Sequence, residues 1–227
     1  MPRIKPAIIE FQNERYLRIP VRTHEIKYPD NLKEVLLRYV GGLIRSGDIL
    51  VLSEKAVASA QGRLVKTAEI RPRPLAVFLA NKVTKTPYGI GLGSPETMEM
   101  AIRECGLLRI LVASFFGFLG RLFKVKGLFY LIAGRQAAWI DGDAPYGVLR
   151  GHVVLGPIAP SKTCRELSEL LGVNVAIMDV NDIGGCEVCG ASPGLNQKLL
   201  LVLMKDNPLG QDVEYTPIGI LRKLPKE

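Results

Sequence analysis

Residues 47–63 read GDILVLSEKAVASAQGR, and the fold turns on how this stretch divides. Residues 48–53 are short, rich in Leu, Ile and Val, and opened by Gly47. An apolar run without polar alternation predicts a strand buried on both faces. Residues 56–60 fit a helix or an extended path, because periodicity does not separate the two over so few positions. Gln61-Gly62-Arg63 predicts a turn, and Leu64-Val65 resumes an extended path.

Upstream, Tyr28-Pro29-Asp30 opens a helix with Asp30 as the expected N-cap. Leu32, Val35, Leu36, Tyr39, Val40 and Leu43 recur at helical spacing until Gly41-Gly42 and Ser46-Gly47 end it. Downstream, Arg71-Pro72-Arg73-Pro74 is a loop. A Gly-rich segment, residues 86–93, ends at Ser94-Pro95, an N-cap with proline at the first helical position. Met98, Ala101, Ile102 and Cys105 line one face of the following helix. Residues 137–140 predict a short strand running into Asp141-Gly142-Asp143, and residues 152–155 another. Pro160-Ser161 starts a helix closed by Gly172. Residues 173–178 predict a strand ending at Asp179, residues 195–204 a helix, and residues 215–221 a last strand. Helices and strands alternate irregularly, so the expected fold is α+β, mixed sheets with flanking helices. One unit over residues 1–227 is expected, or two intimately packed subdomains.

The composition is that of a folded chain: 227 residues, 48% hydrophobic and 23% charged. It excludes a collagen, a disordered tail and a small disulfide-stapled domain. The net charge of +8 lies wholly in residues 1–85, which hold 16 basic and 8 acidic side chains. Such a surplus suits a polyanion, either nucleic acid or a phosphate-bearing small molecule, or is simply a solvated surface. No basic run alternates with aromatics, so nucleic acid is not the expected partner. The first residues lead into no apolar targeting segment, which predicts a cytoplasmic chain with reduced thiols. Residues 110–120 and 127–134 are apolar but separated by Arg121, Lys124 and Lys126. The uncharged run is too short for a membrane span, so it predicts buried core or a dimer interface and no membrane partner.

Two acidic clusters follow apolar runs: Asp141-Gly142-Asp143, and Asp179 with Asn181 and Asp182. Carboxylates beyond strand ends suit magnesium or manganese, although the same residues form ordinary turns. Cys186 and Cys189 form a C-x-x-C without a second pair for zinc, which leaves an ordinary loop or a stabilising disulfide as the expectation. The loop-like residues after it give no helix start to lower a thiol pKa. There is no Walker A and no G-x-G-x-x-G in a strand–helix setting; Gly89-Ile90-Gly91-Leu92-Gly93 is a weak match.

Taken together, these segments resemble the coenzyme F-420 γ-glutamyl ligases. Residues 47–63 are similar to that family's early signature, a G-D and hydrophobic run followed by S/T-x-K and S-K-A-E-G-R. The Asp141 loop resembles its N-A-G-I-D segment. Asp179 with Asn181 resembles its D-T-x-G-R, and residues 210–222 resemble its closing G-Q-A-D-E-G-I-P motif with the final arginine. The resemblance implies a GTP-dependent amide ligase that joins γ-linked L-glutamate to a deazaflavin coenzyme precursor. It further implies a homodimer that uses Mn2+ or Mg2+. By matching position, Asp141, Asp179 and Gln211 would hold the metal, and Lys55 would approach the phosphates and act in catalysis. Arg22, Thr23, His24, Ser59, Gly210, Gln211, Glu214 and Thr216 would surround the nucleotide.

The chain departs from the pattern at several positions. Ser59 replaces the second lysine, Val180 the threonine after the strand-end aspartate, Asp182-Ile183 the glycine–arginine, and Ala144 an asparagine. Three readings follow: a ligase acting on the deazaflavin precursor or a related acidic acceptor, a nucleotide-binding relative that has lost the chemistry, and a nucleic-acid-associated protein.

Overall fold

A computed structural model of the chain describes residues 5–83, 91–142, 149–182, 185–210 and 215–225. The chain forms two compact units. The first comprises Met1–Gly62 and Pro157–Glu227, and the second is Arg63–Gly156. The fold is α+β, as expected.

The first unit is built on a six-stranded sheet. Its strands are β1 (Ile8–Phe11), β2 (Glu14–Val21), β3 (Ile49–Ser53), β6 (Asn174–Val180), β7 (Cys186–Ala191) and β8 (Ile218–Lys223), in the order β1-β2-β8-β3-β6-β7. Among the described residues only β3 and β6 pair in parallel, with Ile49 opposite Asn174 and Ser53 opposite Met178. The whole second unit is inserted in sequence between them. A parallel pair needs such a long connection, whereas antiparallel neighbours do not.

β3 and β6 are buried on both faces, which explains their unbroken hydrophobicity. Ile49, Val51, Ala176 and Met178 pack with Leu199, Leu200, Leu203 and Met204 of α9 (Gln197–Met204). On the opposite face Leu50, Leu52, Val175 and Ile177 are buried as well, and α8 (Pro160–Leu171) lies against β6 and β7. Each such fully buried aliphatic side chain contributes roughly 1.5–3 kcal/mol relative to exposure. The helices α1 (Leu32–Val40) and α2 (Glu54–Ala60) complete the unit, so residues 54–60 resolve as helix.

Three expectations for this unit are corrected. Asn31, not Asp30, caps α1, its side chain accepting from Lys33 N at 3.0 Å. Asp30 is already engaged by Lys27 N at 2.8 Å and His24 Nε2 at 3.1 Å. The strand after residue 173 runs through Asp179 to Val180. The C-x-x-C segment is strand β7 rather than a loop, because residues 186–191 pair with β6; Cys189 is the extra residue of a bulge between Ile177 and Met178.

The second unit holds β4 (Leu64–Lys66) paired with β5 (His152–Val154), together with α3 (Pro74–Ala80), α4 (Pro95–Cys105), α5 (Leu107–Leu122), α6 (Leu128–Ala133) and α7 (Arg135–Ala138). Ser94 and Thr97 form a capping box at the start of α4. Its core includes Met98, Ala101, Ile102, Ile110, Ala113, Ala137 and Ile140. Glu99, buried in this unit, is held by Arg73 Nε and Arg103 Nε, each at 2.9 Å.

Two further expectations change here. Residues 137–140 are not a strand: helix α7 covers Ala137 and Ala138, and only Asp141 makes an isolated bridge to Val154. The apolar stretch 110–134 is not buried core. Ile110, Ala113, Gly120 and Ala133 are buried, but most of its large side chains are exposed. No single helix among the described residues is long and apolar enough to cross a membrane.

Candidate functional site

Strands β2, β3 and β6 run in one direction, and β7 and β8 run against them. The ends of the first three therefore share one sheet edge with the starts of the other two. Loops at such an edge are anchored by the sheet and still reach solvent, which is where α/β proteins gather ligand groups.

Lys55 is the second residue of α2, immediately after β3. Asp179 lies near the end of β6, beside it. Lys55 Nζ stands 3.8 Å from Asp179 Oδ1 and 3.9 Å from Glu54 Oε2. The Lys55 and Asp179 side chains are partly exposed, 30% and 39%, whereas that of Glu54 is 2% exposed. The Lys55–Asp179 pair is loose and solvent-screened, worth about 1 kcal/mol or less. A phosphate oxygen can compete with Asp179 for the ammonium at little cost. Sequence reading missed Glu54, although its adjacency to Lys55 at a strand end was a usable signal.

The loop after β2 joins the same edge. Thr23 N donates to Tyr215 O at 2.9 Å, and Val21 pairs with Ile218. The hydroxyl of Thr23, a buried residue, donates to His24 O at 2.7 Å. His24 is fixed through both ring nitrogens, Nδ1 at 3.0 Å from the Tyr39 hydroxyl and Nε2 at 3.1 Å from Asp30. The Lys27 backbone N–H, together with His24, holds the Asp30 carboxyl below its ordinary range. Arg22 is exposed. The Thr216 hydroxyl donates to Leu209 O, so the turn ending at Gly210 (φ +79°) is tied to the start of β8. That turn also meets the end of β6: Asn207 Nδ2 donates to Asp182 Oδ1 at 3.0 Å and to Gly210 O at 3.1 Å, and Lys5 Nζ reaches the same Asp182 oxygen at 2.8 Å.

Ser59 lies one turn beyond Lys55 on α2. It is buried, and its hydroxyl has no hydrogen-bond partner among the described residues. Asp141 belongs to the second unit, where its carboxylate accepts from Gly142 N at 2.9 Å. Asp143, Ala144, Ile183, Gln211 and Glu214 lie outside the described residues, as do residues 86–90 of the Gly-rich segment. Val180, in the place of the expected threonine, packs its side chain on the sheet core.

No three His, Cys, Asp or Glu side chains among the described residues cluster closely enough to hold a metal ion by themselves. The carboxylate of Asp179 is a hard-oxygen donor at a solvent-reached strand end. That donor chemistry fits a cation such as magnesium, which takes one or two carboxylates and completes its shell with water or phosphate oxygens. The thiols do not fit a redox role. All four cysteines are free, and burial pushes Cys164 up to about 12 and Cys186 up to about 11. Burial raises Cys189 as well, with Glu54 and Asp179 adding to the effect.

Residues 20–185 match the family model for F420-0:gamma-glutamyl ligase. The chain is also similar to the coenzyme F420:L-glutamate ligase of Methanopyrus kandleri, 25% identical over 159 residues that cover 68% of this chain and 54% of that protein. The chain thus aligns with about half the length of that curated relative. The family match embraces β3, α2 and β6, the elements that present Lys55 and Asp179. The chain belongs to the F420-0:gamma-glutamyl ligase family.

Proposed function

We propose that the chain is a GTP-dependent and divalent-metal-dependent ligase. It adds γ-linked L-glutamate to a deazaflavin coenzyme precursor or a related acidic acceptor. One observation carries the reading beyond family membership: Lys55 stands between Glu54 and Asp179 where the parallel β3–β6 pair ends. Chemistry of this class begins when an acceptor carboxylate oxygen attacks the γ-phosphate, releasing GDP and forming an acyl phosphate. The glutamate amine then attacks the acyl carbon, phosphate leaves, and the nitrogen loses a proton to give the amide. Positioning and charge stabilisation supply most of what phosphoryl transfer requires.

In this reading Lys55 exchanges its carboxylate partners for phosphate oxygens. Asp179 would hold Mn2+ or Mg2+ at this edge; Asp141 and Gln211 are assigned to the metal by the family resemblance alone. When bound, the metal would neutralise phosphate charge. Thr23, Thr216 and the Gly210 turn shape the edge where the nucleotide lies. The basic surplus of residues 1–85 suits two polyanionic substrates. A cytoplasmic homodimer acting on small molecules completes the proposal.

A second reading, a relative that binds nucleotide without turnover, is favoured by Val180. Its side chain serves the sheet core and offers no oxygen to a metal. Calorimetric titration of GTP with and without manganese, followed by phosphate release with glutamate and the acceptor, separates the two. Metal-dependent binding with acceptor-dependent phosphate release supports the ligase. Binding without release supports the second reading, and absence of binding sinks both.

A further inference from the structure

Helix α5 is turned inside out. Its inward face carries Ile110, Ala113, Gly117 and Gly120. A Cβ on Gly117 would lie 3.1 Å from Phe129 Cβ, and one on Gly120 would lie 2.7 Å from Val125 O and 2.9 Å from Leu128 Cδ1. The helix thus keeps its smallest residues where it meets the turn after it and α6. Its large side chains point the other way. Leu108, Leu111, Phe115, Phe118 and Leu122 follow at spacings of three and four, which places them on one stripe. They are 78%, 38%, 59%, 63% and 67% exposed. Phe123 extends the stripe into the turn after the helix, 71% exposed.

The charge around this stripe has one sign. Between Cys105 and Ile140 the sequence holds Arg109, Arg121, Lys124, Lys126 and Arg135 but no Asp or Glu. All five are exposed. By helical phase Arg121 falls on a flank of the stripe, where its guanidinium donates to Lys82 O at 2.8 Å, and Arg109 lies toward the buried face near Gly134; Lys124 and Lys126 lie in the turn beyond the stripe. A second copy docked on this face would offer these cations no carboxylate from the same segment, so they would go unpaired there. An anionic surface meets both features at once. The phenylalanines and leucines enter the acyl boundary while the long basic side chains reach lipid phosphates. A helix of 16 residues is about 24 Å long, shorter than a hydrocarbon core of about 30 Å, so it suits lying in the interface rather than spanning.

We infer that the outward face of α5 and the turn after it dock the protein on an anionic phospholipid bilayer. The sequence favours buried core or a dimer interface over membrane contact; the exposed stripe and the cations beside it turn that reading toward an interfacial mode. The test is co-sedimentation of the full chain with vesicles of phosphatidylcholine alone, and of phosphatidylcholine mixed with phosphatidylglycerol. The anionic vesicles should capture the protein and the neutral ones should not. Phe118→Ser with Leu122→Ser should abolish capture; both positions are exposed, so the fold has no reason to change. Lys124→Gln with Lys126→Gln should weaken partitioning about 25-fold, at about fivefold for each cation near the surface. Failure to bind the anionic vesicles, equal binding to neutral ones, or undiminished binding by either variant overturns the inference. So does a dimer seen by light scattering that the serine substitutions dissolve, in a chain that ignores vesicles; that result gives the face to a second copy.

Discussion

Asp48 and Arg222 are locked in a two-point ion pair. Arg222 Nε donates to Asp48 Oδ1 at 2.9 Å and Nη2 to Oδ2 at 2.7 Å, while Nη2 also donates to Leu43 O at 2.8 Å. Asp48 opens the first family-like motif and Arg222 closes the last, so two signatures far apart in sequence meet in space. They meet where β3 begins and β8 ends, at the sheet end opposite Lys55. Their role is therefore to hold the sheet together and not to touch substrate. Burial pushes the Asp48 carboxyl up, but hydrogen bonds from Arg222 and Arg45 N outweigh this and leave it below its ordinary value.

The sign of the pH effect follows. A carboxyl depressed in the folded state contributes stability that is present above the unfolded pKa of about 3.9 and is lost as pH falls through the folded value. Glu99 and Asp206 are depressed in the same way, by Arg73 with Arg103 and by Arg18, against the opposing effect of burial. Denaturant unfolding should show these contributions intact from pH 7 to about pH 4 and fading below it. Asp48→Asn should cost about 3 kcal/mol at pH 7 and flatten the acid limb. A variant as stable as wild type at both pH values would show that the pair does not hold the sheet.

Asp179→Asn removes the charged oxygen donor at the end of β6 while keeping its shape. Calorimetry should show manganese-dependent GTP affinity falling tenfold or more, with circular dichroism unchanged. Lys55→Met should weaken GTP binding whether or not manganese is present, because an ammonium acts on phosphate directly. If Asp179→Asn binds GTP and manganese as wild type does, Asp179 is not a metal ligand. If Lys55→Met is also unchanged, the nucleotide lies elsewhere.

The sheet centre was readable because β3 and β6 are buried on both faces, which leaves uninterrupted hydrophobic runs. The hairpin of β1 and β2 was not. Arg18 occupies a buried position of β2 and breaks the alternation of apolar and polar residues. The structure accommodates it through Asp206, Leu203 O and Pro6 O. The hairpin turn hides as well: Gln12 and Asn13 both have positive φ, 52° and 61°, and glutamine seldom signals such a turn. Residues 137–140 misled in the other direction, since a short apolar run has no period of its own. At the candidate site, matching motifs pointed to Lys55 and Asp179. Only the pairing of strands shows that Thr23, Thr216, Lys55 and Asp179 share an edge.

The cysteines should be chemically quiet. With a pKa of about 11, Cys186 at pH 8 carries roughly two hundredfold less thiolate than an ordinary cysteine of pKa about 8.5, and alkylation rates follow the thiolate. Cys164 should be slower still, being fully buried. Mass spectrometry after brief iodoacetamide treatment should find both unmodified in the native protein and modified in denaturant. Rapid native labelling of Cys186 would show that strand β7 does not shelter it.

Gly190 lies where α8 begins against β7. A Cβ there would fall 2.5 Å from Pro160 C and 2.6 Å from Ser161 N. Both are backbone atoms, so no side-chain rotation relieves the clash; the helix start or the strand must move. Gly190→Ala should therefore destabilise the first unit by at least 1–3 kcal/mol, the usual range for overpacking. Gly42 is the control, because a Cβ at that exposed position meets nothing within 4 Å. Gly42→Ala should leave the thermal midpoint nearly unchanged while Gly190→Ala lowers it by several degrees. Equal midpoints for the two variants would mean that α8 does not rest on β7 as closely as Pro160 and Ser161 indicate.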